Sequence, residues 1–279
     1  MSGSAPAEPG FRVFAIRYAH RDGVAPGEVF HHVTTEDRPR AMAYYVWLVT
    51  GPAGAYLVDA GFGRAVARQR GREHCLRGDP LDALAALGAP AIDLSAVLLT
   101  HLHFDHCGEL ARFPRATFWV QRREIAFWTG PHAHRTSFRR VVMSEDITAL
   151  VELNLAGRVR SVDGDVTVAP GLSLHHVGGH TAGMQVVRVE TAHGVVVLAS
   201  DASHYYANLE SDRPYSALES VSGAHAAFDR LRELAGAGAH IVPGHDPGVM
   251  ERYPAAGPGL DGVAVELSAR RPSREKETA

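Results

Sequence analysis

Thr100-His101-Leu102-His103-Phe104-Asp105-His106-Cys107-Gly108 is the stretch around which the rest of the chain is organised. It follows the apolar run 94–99, in which Ala96, Val97, Leu98 and Leu99 read as a buried strand. Four potential metal ligands then fall within six residues, where that strand should end. Side chains alternate near a strand end, so His101 and His103 point to one side. Once the chain turns, Asp105 and His106 can face the same cavity from a second direction. This spacing offers two imidazoles to one cation, and a carboxylate with an imidazole to a neighbouring one. The plain alternative is a His-rich surface loop, since the chain holds 17 histidines. Placement at the end of a strong strand, closed by Gly108, favours the metal site.

The motif resembles that of the metallo-β-lactamase superfamily, in the form seen in its N-acyl homoserine lactonases. Further segments follow in the family's order: Val58-Asp59-Ala60-Gly61, Gly178-Gly179-His180-Thr181-Ala182-Gly183, Ala199-Ser200-Asp201-Ala202-Ser203 and Val242-Pro243-Gly244-His245-Asp246. The resemblance covers roughly residues 43–250. The resemblance implies an α/β (α+β) fold, the four-layer αβ/βα sandwich, with two sheets face to face and helices outside. It implies that His101, His103 and His180 bind a first metal. Asp105, His106 and His245 would bind a second, with Asp201 bridging the two. Imidazole and carboxylate ligands suit two Zn²⁺ ions, and also Fe, Co or Mn. Cys107 offers a softer thiolate, but a small buried residue is the expected reading. Asp59 matches a family aspartate that orients a ligand; a turn or helix-cap carboxylate is an equal alternative.

A metal pair of this kind shares a hydroxide acidified to near neutral pH. The reaction expected from the resemblance is hydrolysis of a cyclic ester, with Asp105 passing a proton from nucleophile to leaving oxygen. N-acyl homoserine lactone is the leading substrate. The alternatives are another ring, such as 4-pyridoxolactone, or a thioester as in glyoxalase II. A non-catalytic binding module would be expected to have lost ligands, and none is missing. One departure stands out: the lactonases place a tyrosine after Asp-Ala-Ser, whereas this chain reads Asp201-Ala202-Ser203-His204-Tyr205-Tyr206. His204 is therefore one candidate for that catalytic position, and Tyr205 the other if the loop is displaced by one residue. Phe104, Trp128, Met143, Tyr205 and Tyr206 are candidate pocket residues that could equally be core.

The 279 residues, 46% hydrophobic and 21% charged, suit a protein with a sizeable core. A formal net charge of -3 and the lack of a long basic block argue against a nucleic-acid partner. Arg64, Arg68, Arg70 and Arg72 are explained most simply as a solvated helix face. Cys75 and Cys107 make no disulfide framework, which fits a reducing compartment. With neither a signal-peptide pattern nor an apolar run of membrane-spanning length, the expected setting is cytoplasmic, without membrane contact. A monomer or homodimer acting on a small-molecule lactone is expected. Residues 1–10 read as a flexible start, 11–268 as one catalytic domain and 269–279 as a disordered tail.

Along the chain, 11–18 reads as a strand with both faces partly apolar, and 28–34 as a second short strand. Residues 44–50 and 55–59 form a hairpin about Gly51-Pro52-Ala53-Gly54. Asp79-Pro80 opens a helix with Leu81, Leu84, Ala85 and Leu87 buried. A strand over 116–120 and a helix over 121–128 precede an irregular excursion, 129–143, over the mouth of the site. Residues 159–161 and 163–166 begin a hairpin ladder continuing through 172–177. A second hairpin turns at His193-Gly194, and an amphipathic helix spans 216–234.

Overall fold

The computed structural model describes residues 10–236 and 239–269. The expected flexible start and tail fall almost entirely outside the described residues.

Seven strands form the first sheet, in the order β12-β1-β2-β3-β4-β5-β6. They are β1 (Arg12–Val24), β2 (Arg40–Gly51), β3 (Gly54–Val58), β4 (Ala96–Leu98), β5 (Thr117–Gln121), β6 (Val159–Val162) and, from the far end of the chain, β12 (Ala264–Glu266). The second sheet has the order β11-β10-β9-β8-β7. Its members are β7 (Val166–Ala169), β8 (Leu172–His176), β9 (Gln185–Thr191), β10 (Gly194–Ser200) and β11 (His240–Pro243). Pairing is antiparallel through β12, β1, β2 and β3, then parallel from β3 to β6. β10 and β11 are also parallel.

The doubly apolar first strand has a direct cause. Val13 and Ala15 belong to the cluster between the sheets, with Trp47, Val58, Leu98, Leu174 and Val187. Phe14, Ile16 and Tyr18 face the other way, into a core shared with Leu84 and Leu150 of flanking helices. On the outer side of the second sheet, Met184, Val186 and Val197 pack against Ala227, Phe228 and Leu231 of the helix Val221–Ala235. The layers therefore run helix, sheet, sheet, helix, as the motif resemblance implied.

Several local expectations are corrected. The strand expected over 28–34 is absent; β1 runs on to Val24, and a short helix, Pro26–Val29, follows. Proline presets the first helical φ and cannot donate to a ladder. Asp22-Gly23 lies within β1, at a register break between Arg21 and Val24, with Gly23 at φ 68°. Residues 159–162 join the first sheet beside β5 instead of opening the second. Between β6 and β7 the chain changes sheets, and Gln121 holds this crossing by bonds to the N–H and C=O of Gly164. In the helix Pro80–Ala86, Ala83 and Leu84 are buried and Ala85 is exposed. The helix expected from residue 216 starts only at Val221, with the Ser220 hydroxyl accepting from Gly223 N–H at 3.0 Å. Just before it, the N–H groups of Glu219 and Ser220 donate to Gly179 and His180 carbonyls and tie down that loop.

No helix among the described residues is long and apolar enough to cross a membrane.

Candidate metal centre

Five strands deliver their C-terminal ends to one edge of the sandwich. Asp59 follows β3, the 100–108 loop follows β4, His180 lies beyond β8, Asp201 follows β10 and His245 lies just past β11. A parallel pair in each sheet supplies the edge, because parallel neighbours end on the same side. Asp59 itself adopts φ 60°, a left-handed conformation that aspartate tolerates better than most non-glycine residues and that turns the chain off the end of β3.

The ligand atoms converge. Asp201 Oδ2 lies 3.2 Å from His180 Nε2 and 3.7 Å from His101 Nε2. Its other oxygen, Oδ1, lies 3.0 Å from His245 Nε2 and 3.2 Å from His106 Nε2. His103 Nδ1 is 3.0 Å from His180 Nε2. Asp105 Oδ1 and Oδ2 stand 3.9 Å from His106 and His245 Nε2 respectively. His101, His103, His180 and Asp201 form one cluster able to hold a cation, and Asp105, His106 and His245 form a second. All seven are buried or nearly so.

Three observations fit this pocket to cations. His101 Nε2, His106 Nε2 and Asp201 Oδ1 are buried without a hydrogen-bond partner, a costly state for polar atoms unless a ligand meets them. Three of the outward ring nitrogens are committed. His106 Nδ1 donates to Asp59 Oδ2 at 2.7 Å, His245 Nδ1 to the Ala43 carbonyl at 2.8 Å and His101 Nδ1 to Thr100 Oγ1 at 3.0 Å. Each such bond turns the opposite nitrogen's lone pair inward. Finally, a side chain at Gly244 would place its Cβ 2.7 Å from Asp201 Oδ1, so only glycine leaves that carboxylate free.

Asp59 thus has the orienting role. Besides His106, it accepts from the Thr100 N–H at 2.7 Å and the Thr100 hydroxyl at 2.8 Å. Burial disfavours imidazolium at His106, yet Asp201, Asp59 and Asp105 outweigh it and hold its pKa well above the ordinary value. At His101 burial prevails, reinforced by His106 and His103, and the pKa lies well below. Carboxylates packed among imidazoles attract positive charge, which a metal supplies in place of protons.

Glu124 positions the site and was missed by sequence reasoning. It is fully buried in the helix Arg122–Trp128. Its oxygens accept from Leu102 N–H (3.0 Å), Trp128 Nε1 (2.7 Å) and Gly183 N–H (2.8 Å). One carboxylate therefore clamps the 100–108 loop to the His180 loop. Gly183 is required there, since a Cβ would come within 2.3 Å of the Glu124 backbone nitrogen. Glu124→Ala strands three buried donors and should cost roughly 3 kcal/mol or more of stability. Thermal unfolding and metal content of the purified variant check this; both should fall, and Glu124→Gln should lie between the variant and the parent.

His204 lines the cavity, with Nε2 3.0 Å from Asp201 Oδ2 and its ring stacked on Tyr215 at 3.4 Å between centroids. Burial pushes its pKa down to about 3, against the pull of Asp201, so the ring is neutral. Tyr205, the other candidate for the catalytic position, does not line the cavity. Its backbone is extended, so successive side chains oppose, and Tyr205 is buried in the core with its hydroxyl unpartnered. Of the five pocket candidates only Phe104 lines the cavity; Met42, Tyr44 and Tyr215 do so unforeseen. The excursion 129–143 does reach the cavity, through Arg140 and Val141. Cys107 donates its thiol to the Leu102 carbonyl and stands outside both ligand clusters. The arginine cluster divides: Arg64 and Arg68 are exposed on the helix Arg64–Gln69, while Arg70 and Arg72, past its end, turn into the cavity.

Residues 40–250 match the family model of the Metallo-beta-lactamase superfamily. The chain belongs to that superfamily. Among curated relatives of this superfamily member is an N-acyl homoserine lactonase of a Bacillus species, 31% identical over 155 residues. That alignment covers 55% of this chain and 56% of the relative, so the chain spans little more than half the relative's length. N-acyl homoserine lactonase AttM of Azorhizobium caulinodans is 28% identical over 225 residues, 72% of this chain and 81% of that protein. A solved N-acyl homoserine lactone hydrolase, with N-hexanoyl-L-homoserine bound at its catalytic metal centre, aligns with a TM-score of 0.71. It is 24% identical and covers 87% of this chain and 96% of its own, which establishes the shared fold.

Proposed function

We propose that this superfamily member is a hydrolase that opens a lactone ring with two bound divalent cations, Zn²⁺ foremost. N-acyl homoserine lactones, on which the named relatives act, are the first class to test. The observation that carries the reading is the split carboxylate of Asp201, each oxygen facing a different set of imidazoles. A carboxylate placed in this way could serve two cation positions at once.

When bound, such a pair supplies an acidified water and Lewis acidity toward an ester carbonyl. The protein's own groups do the rest. Asp59, Thr100 and the Ala43 carbonyl hold the imidazoles of His106, His101 and His245 in one tautomer, so these three need no reorganisation during turnover. Asp105 borders the cavity and is the most accessible of the seven ligands, which suits a group that takes a proton from the nucleophile and returns it to the leaving oxygen. His204, against Asp201 and stacked on Tyr215, holds the bridging carboxylate and offers a cavity wall to the substrate. Two free, buried thiols, Cys75 and Cys107, support a cytoplasmic setting.

Metal analysis combined with a panel of lactone, thioester and phosphodiester substrates tests the proposal. About two equivalents of transition metal and selective lactone opening, abolished by chelator and restored by metal, are expected. Turnover of thioester or phosphodiester in place of lactone would overturn the substrate class.

A further inference from the structure

The cavity over the ligand cluster encloses about 150 Å³, small beside the few hundred of an ordinary ligand pocket. Its lining is unexpectedly cationic: Arg21, Arg70, Arg72 and Arg140 all border it. Apart from Asp105 and Asp201, already committed to the ligand clusters, the only carboxylate there is Glu28. Glu28 is spent on Arg21, which grips it through two bonds of 2.8 and 2.9 Å.

Arg70, Arg72 and Arg140 have no carboxylate within ion-pair distance among the described residues. Arg70 donates instead to the Arg140 carbonyl at 2.7 Å and toward Met143 Sδ at 3.7 Å, and its Nε is buried without a partner. Arg72 donates to the Tyr44 hydroxyl at 2.6 Å. Phe104, between the ligands His103 and Asp105, carries both guanidiniums near its ring, at 3.7 Å for Arg70 and 5.3 Å for Arg72. Burial penalises the Arg70 charge, Asp105 offsets part of that and Arg72 adds to it.

Half-buried guanidiniums are costly without a counter-ion, and here they are held in place by a ring face and by neutral acceptors. A planar fork held this way is prepared for an oxyanion, whereas it is a poor wall for an alkyl chain. We propose that Arg70 and Arg72 form an anion-docking subsite, and that the substrate is a compact lactone bearing a carboxylate or phosphate group. The inference rests on the lactone reading above and narrows it to an anionic ring.

The test uses the metallated protein and three lactones matched in ring: γ-butyrolactone-γ-carboxylate, its methyl ester, and the γ-phosphoryloxymethyl analogue. The kcat/KM for at least one anion should exceed that for the ester by about tenfold or more. The larger ratio names the anion. In the Arg70→Met/Arg72→Met variant the ratio should fall to near unity, and Arg72→Lys, keeping charge but losing the fork, should lie between. Arg64→Met/Arg68→Met, on the exposed helix, removes the same two charges away from the cavity and should leave the ratio intact. A ratio near one in the parent protein, or one that survives the double substitution, overturns the proposal.

A binding measurement separates this proposal from the one it rests on. By calorimetry, α-hydroxyglutarate should bind more tightly than γ-hydroxybutyrate by about tenfold, since only the second carboxylate differs. The double variant should lose that difference. If no lactone is opened but the difference persists, the lactone reading fails and the anion subsite stands. If lactones are opened but the difference is absent, the subsite alone fails.

Discussion

Replacing Asp201 by asparagine should lower lactone turnover by about a thousandfold or more, given the several kcal/mol that cation-held charge stabilisation contributes. The present carboxylate offers Oδ2 to His180 and His101 and Oδ1 to His245 and His106. An amide keeps one oxygen acceptor and turns an NH2 toward the other set, where two imidazole lone pairs already point. One of the two cation positions should therefore be lost, and metal analysis should show about one equivalent in place of two. Folding should survive, because Asp201 contacts imidazoles on the cavity side and its removal opens no gap between the sheets. Retention of both equivalents with normal turnover would mean that Asp201 bridges nothing.

Asp105→Asn is expected to lower kcat by about a hundredfold to ten-thousandfold, the usual worth of a positioned acid–base group, with little change in KM. Asp105 stands 3.9 Å from two of its partner imidazoles, farther than Asp201 does, and borders the open part of the cavity. That position suits a side chain that touches both the cation and the reacting atoms. Metal content must be measured alongside, because a fall caused by lost metal would track occupancy, whereas loss of the proton shuttle would persist at full loading. Normal kcat at full loading removes Asp105 from proton transfer.

The readable part of the centre was the part that is local in the chain. Four ligands in one loop declare themselves by spacing, since a strand end and a turn are enough to aim them. His180, Asp201 and His245 have no such neighbours; each is an ordinary loop residue until its motif is compared with the family's. Asp59 was divided between two roles because a carboxylate after a strand can cap a turn or hold a ligand, and only the 2.7 Å bond to His106 decides.

Other residues were hidden for reasons that can be named. Glu124 sits in a helix whose pattern places glutamate equally well in solvent. Its burial depends on Leu102 and Gly183 arriving from distant segments with unmet N–H groups. Tyr215 and Ser216 lay in or beside an expected helix, yet the neighbouring backbone donors are used by the Gly179-His180 loop, so the chain stays irregular and lines the cavity. Arg70 and Arg72 continued the basic run of a surface helix. The helix ends at Gln69, and Gly71 at φ 65° turns the chain so that both face inward.

Local pattern alone determined that strands of alternating and continuous apolar character end in polar, glycine-closed loops rich in imidazole and carboxylate. That is because strand periodicity and turn chemistry depend on near neighbours. Which of those loops meet, which nitrogen of each imidazole faces inward, and whether an arginine points to water or to substrate were decided by the stacking of two sheets. Such outcomes depend on groups scores of residues apart competing for the same buried donors and the same space, and no stretch of sequence contains both competitors.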